Sequence, residues 1–95
     1  MDLQQFDQRL CNFPDGSYDV LYDIKRYLMR KETLLGGRLI KGYAEELGGR
    51  DVISFNYYPG LSLPLLKPCE MRAEKVVSFV LEACPVSGGK GSPNA

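Results

Sequence analysis

An α+β fold is predicted for this 95-residue chain. It comprises a small antiparallel meander of about four strands over residues 17–58 and a C-terminal amphipathic helix over about 70–84, packed on one face of the sheet. Three observations predict it. Leu-Gly-Gly-Arg stands at both 35–38 and 47–50 and reads as two similar hairpin turns, because glycine reaches positive φ without steric cost. Residues 51–58 set Ile53, Phe55 and Tyr57 against Ser54, Asn56 and Tyr58, the alternation of a strand with one buried side. Ala73, Val76, Val77, Val80, Leu81 and Cys84 recur at helical spacing.

Taken in order, residues 2–11 predict a short helix with Asp2 as its N-cap and Leu3, Phe6 and Leu10 on one face. Pro14 pushes Phe13 out of helical geometry, and Asp15-Gly16 is a turn dipeptide. Two periods compete over residues 17–47. Val20, Ile24, Tyr27, Leu28 and Leu35, then Leu39, Ile40, Tyr43, Ala44 and Leu47, suit helices at 17–35 and 38–47. The strand reading alternates Tyr18, Val20 and Tyr22 with Asp19, Leu21 and Asp23, turns over 23–26, returns over 27–34 and runs forward over 38–47.

Two arguments favour strands. The strand at 51–58 needs a partner for its amides. Residues 38–47, folded back across Gly48-Gly49, set Ile40, Gly42 and Ala44 beside Ile53, Phe55 and Tyr57, small against large. Gly42 would also cost a helix about 1 kcal/mol relative to Ala. Residues 59–68 carry three prolines and read as a loop with a short extended piece at 63–67. Glu70 and Glu74 suit the N-terminal end of the last helix, where the macrodipole favours anions, and Pro85 stops it. Residues 1–85 form one α+β domain, and 86–95 read as a flexible Gly/Ser/Pro tail.

Composition removes several classes of function. Lys plus Arg is 12 and Asp plus Glu is 12, which disfavours bulk binding to nucleic acid or an anionic membrane. The chain has no His, so Ser-His-Asp and Cys-His catalysis and His-ligated metals are excluded. Cys11, Cys69 and Cys84 are odd in number and form no CxxC. They predict neither a metal site nor a disulfide framework, but small buried hydrophobes in a reducing, cytoplasmic compartment. No cofactor is expected. No run approaches the ~18 apolar residues of a membrane span, and residues 1–9 show no secretory signal.

Three groups of residues could carry function. The outward face of the hairpin over 38–58 would present Lys41, Tyr43, Glu45, Ser54, Asn56 and Tyr58, aromatic area mixed with charge and amide as on recognition surfaces. A basic and aromatic run between 25 and 43, with Lys25, Arg26, Tyr27, Arg30 and Arg38, has the residue types that grip single-stranded nucleic acid. Cys69, between Lys67-Pro68 and Glu70, would be a thiol near a helix N-terminus, where its pKa falls. The reading put first is a non-enzymatic interaction module that self-associates as a homodimer. The alternatives are single-stranded nucleic-acid binding through 25–43 and a small thiol-dependent enzyme using Cys69.

Overall fold

The computed structural model describes residues 3–86. Asp2, the expected helix cap, and the expected tail beyond Val86 lie outside the described residues. Helix α1 (Gln4–Asn12) leads into the meander β1 (Gly16–Tyr22), β2 (Lys25–Leu34), β3 (Leu39–Glu46) and β4 (Val52–Tyr58). Strand β5 (Leu65–Pro68), helix α2 (Ala73–Glu82) and the two-residue strand β6 (Cys84–Pro85) follow. The six strands form one antiparallel sheet in the order β5-β4-β3-β2-β1-β6. The helix-rich alternative for 17–47 is thereby excluded, and the meander gains one short strand at each edge.

The predicted pairing of β3 with β4 holds residue by residue: Ile40↔Tyr57, Gly42↔Phe55 and Ala44↔Ile53. Both Leu-Gly-Gly-Arg segments are strand connections. Leu35–Gly37 forms a single 3-10 turn between β2 and β3, with Gly36 at φ 64 and Gly37 at φ 93. The turn expected over 23–26 is tighter than predicted. Tyr22 pairs with Lys25, so only Asp23 and Ile24 form the loop, at φ 53 and 55. Positive φ at both positions matches the right-handed twist of the flanking strands.

One sheet face is apolar. Val20, Tyr27, Met29, Ile40, Ala44, Ile53, Phe55 and Tyr57 are buried there, and both helices cover them. Phe6 of α1 packs edge-on against Phe55 and Tyr57, with ring centroids 5.9 and 5.1 Å apart. Phe79 of α2 packs against Tyr22 and Tyr27 at 5.0 and 5.3 Å. Burying an aromatic or aliphatic side chain stabilises by roughly 1.5–3 kcal/mol, so the two helices contribute much of the core.

The α2 stripe is rotated from the one predicted. Val76, Phe79, Val80 and Ala83 are buried, whereas Leu81 is 36% exposed. The bulky Phe79 turns toward the tyrosines and takes the helix with it. Helix α2 also begins later and ends earlier than 70–84. Glu70 has φ 61, outside right-handed helical space, and Pro85 disfavours helix at Cys84, which pairs instead with Leu21. All three cysteines are free and exposed, not buried. Cys11 lies off the Phe6–Leu10 face of α1, Cys69 precedes α2, and Cys84 is on an edge strand.

Polar ties lock the layers together. The Arg9 guanidinium of α1 donates to the carbonyls of Val80 (3.2 Å) and Ala83 (2.5 Å) at the end of α2, groups with no partner inside the helix. Lys31 is 4% exposed and donates to the Phe13 carbonyl at 2.6 Å, with Asp15 at 3.6 Å. The Tyr22 hydroxyl and Ser78 Oγ lie 2.8 Å apart.

Candidate functional site

Strand alternation sends every second side chain to the face the helices leave open. Rows across the sheet place Arg30, Tyr43 and Ser54 side by side, then Glu32, Lys41 and Asn56, then Leu28, Glu45 and Val52. Directly opposite side chains in such rows have Cβ atoms roughly 4.5–5.5 Å apart, so the groups act as one surface. Arg30, Glu32, Lys41, Tyr43, Asn56 and Cys69 line a shallow depression of about 310 Å³ near its centre.

Tyr43 is 42% exposed, and its hydroxyl donates to Glu45 Oε1 at 3.2 Å. Local desolvation and that carboxylate raise the phenol above its ordinary pKa. Tyr58 is half-buried beside Leu65 of β5. The six residues expected on one hairpin face thus lie on β3 and β4, and Arg30, Glu32 and Cys69 join them.

The basic and aromatic run does not stay together. Tyr27 is 2% exposed, and its hydroxyl donates to Asp51 Oδ2 at 2.7 Å. It is a core residue, not a stacking platform, because it shares the face of Met29 and Val20. Burial and Asp51 raise its phenol far above the ordinary value. Lys31 also turns inward. Arg26 pairs with Asp19 at 3.2 Å, Lys25 stands exposed at the start of β2, and Arg38 donates to the Leu35 carbonyl at 3.0 Å. Of the basic residues between 25 and 43, Arg30 and Lys41 line the depression beside Tyr43.

Cys69 stands four residues before Ala73, not in the first turn of α2, and its amide donates to the Ser54 carbonyl at 2.9 Å. Among the described residues no side chain hydrogen-bonds its thiol. Burial and Asp7 raise the Cys11 thiol, which disfavours the nucleophilic thiolate there.

Two constellations escaped the sequence reading. At the foot of β4, Asp51 accepts from Tyr27 and from Lys75 of α2. At the opposite corner, α1 and the 59–64 connection flank a groove of about 660 Å³. On its floor Tyr57 donates to Asp7 Oδ2 at 2.7 Å. Each joins residues more than 20 positions apart, so no local pattern signals them.

Comparison of the chain with family models, curated proteins and solved structures returns no match. Among the described residues no cluster of three or more His, Cys, Asp or Glu side chains is placed to hold a metal ion. No described helix is long and apolar enough to cross a membrane.

Proposed function

We propose that the protein is a non-enzymatic interaction module that self-associates as a two-fold dimer through the open face of its sheet. The observation that carries this reading is the order Lys41, Tyr43, Glu45 along β3, an interior strand of a sheet that, among the described residues, helices cover on one side only. A second copy laid face to face with its β3 antiparallel sets each Lys41 against the other copy's Glu45, and Tyr43 against Tyr43. An isologous contact needs such self-complementarity. Leu28 and Val52 supply apolar area beside Glu45, and Arg30 and Glu32 offer both signs of charge. The two larger extents of the fold are 39 and 27 Å, room for the roughly 800 Å² per partner of a stable interface. A small domain gains most from such burial. Three free thiols suit a cytoplasmic protein.

Size exclusion with light scattering over a range of concentrations tests the reading. A dimer is expected, weakened at least tenfold by Lys41→Glu or by Glu45→Lys and restored by the two together. A wild-type monomer at high concentration, or a double variant no better than either single one, overturns it. The nucleic-acid alternative retains Arg30, Lys41 and Tyr43 but loses Tyr27 to the core. A low-salt titration with a labelled oligonucleotide separates it from self-association.

A further inference from the structure

We infer that the groove between α1 and the 59–64 connection binds a small organic cation, a protonated amine carried on an apolar body. The site is independent of the open sheet face, since the groove opens beside α1 on the helical layer. Leu3, Leu63 and Pro64 form its apolar walls, Gln4 and Gln8 line the helix side, and Asp7 and Tyr57 stand at its floor. Its volume of about 660 Å³ lies within the roughly 300–1,000 Å³ of small-molecule sites, which pair apolar walls with a few convergent polar groups.

Charge identifies the ligand class. Asp15, Asp19 and Asp51 each have a cation within 4.0 Å, namely Lys31, Arg26 and Lys75. Asp7 is half-buried and has no such cation among the described residues. Its Oδ2 accepts from the Tyr57 hydroxyl at 2.7 Å, and the Cys11 thiol is 3.7 Å from Oδ1. Both are neutral donors. Tyr57 is fully buried, so its hydroxyl fixes the carboxylate in place without neutralising it. A half-buried carboxylate attracts a cation more strongly than an exposed one, because solvent screens it less. An ammonium group completes the site while its hydrocarbon body covers Leu3 and Leu63, the latter 82% exposed.

Amide chemical-shift titrations with hexylammonium and benzylammonium, each against the matching alcohol, provide the test. Saturable shifts are expected at residues 3–8 and 59–64, with each ammonium binding at least tenfold more tightly than its alcohol. Asp7→Asn retains an acceptor for Tyr57 and should reduce ammonium binding to the alcohol level. Leu63→Ser, on an exposed side chain, should weaken both ligands and leave the preference for charge intact. Circular dichroism checks that each variant is folded. Should Asp7→Asn unfold, the ammonium-to-alcohol comparison on the wild type and on Leu63→Ser decides. Absence of saturable shifts with either amine, equal binding of amine and alcohol, or undiminished binding by a folded Asp7→Asn overturns the inference.

Discussion

The ring of Phe55 occupies the space that a β-carbon on Gly42 would need. The two residues face each other across β3 and β4, and both are buried. The absence of a side chain at 42 is therefore a packing requirement, with the aromatic ring covering the bare backbone. Gly42→Ala should lower stability by about 1–3 kcal/mol, the usual range for overpacking, despite the better strand propensity of Ala. Thermal unfolding followed by circular dichroism measures it; an unchanged or higher midpoint would contradict this packing.

Acid should weaken the tie between α2 and the foot of the sheet. Burial by itself would raise the Asp51 carboxyl, but the hydrogen bonds from Lys75 and Tyr27, the Lys75 charge and the Val52 amide outweigh it and hold the pKa below the ordinary value. A carboxyl depressed in the folded state binds fewer protons there than in the unfolded chain, so its contribution is full above the unfolded pKa of about 3.9 and is lost as pH falls through the folded value. Urea unfolding between neutral pH and pH 3 should show this decline, and Asp51→Asn should flatten it. Identical pH slopes for the two proteins would exclude Asp51 as a source.

The β1–β2 loop holds Ile24 at φ 55 with 99% of its surface exposed. A β-branched side chain is strained there and gains nothing from packing. Ile24→Gly should stabilise the protein by roughly 0.5–1 kcal/mol, the relief of strain outweighing the entropy glycine loses on folding. Chemical denaturation gives the sign directly, and a lowered midpoint would count against the turn geometry.

Arg9 joins the helices through the last carbonyls of α2 and lies over the Phe13 ring at 5.5 Å. Arg9→Met preserves an apolar stem and removes the donors. A loss of about 1–3 kcal/mol is expected, because a hydrogen bond to a charged group is lost and carbonyls are left without a protein partner. Hydrogen exchange should quicken first at the C-terminal end of α2; uniform quickening across the sheet would argue for a different role.

Two short patterns made the meander legible in the sequence. The repeated Leu-Gly-Gly-Arg marked two of its three turns, and the alternation through Ile53, Phe55 and Tyr57 fixed one face, from which the Gly42–Phe55 and Ala44–Ile53 partners follow. The open surface around Tyr43 was legible for the same reason, since a period of two assigns each side chain to a face once one strand is placed. The inward turn of Lys31 was legible too, being two residues from Met29 and four from Tyr27, but its charge concealed it. The α2 stripe was misread because valines and Phe79 offer two helical faces about one residue apart, and only the tyrosines on the sheet choose between them.

Local chemistry therefore determined the glycine turns and the pairing of β3 with β4 across one of them, because a tight turn and the register beside it depend on residues within a few positions. The tertiary structure alone decided that Lys31 meets the Phe13 carbonyl and that Asp51 meets Lys75. It also decided that Asp7 meets Tyr57 beneath the α1 groove. These contacts depend on where two helices cross a twisted sheet, which the packing of bulky side chains over the whole core sets and no single segment contains.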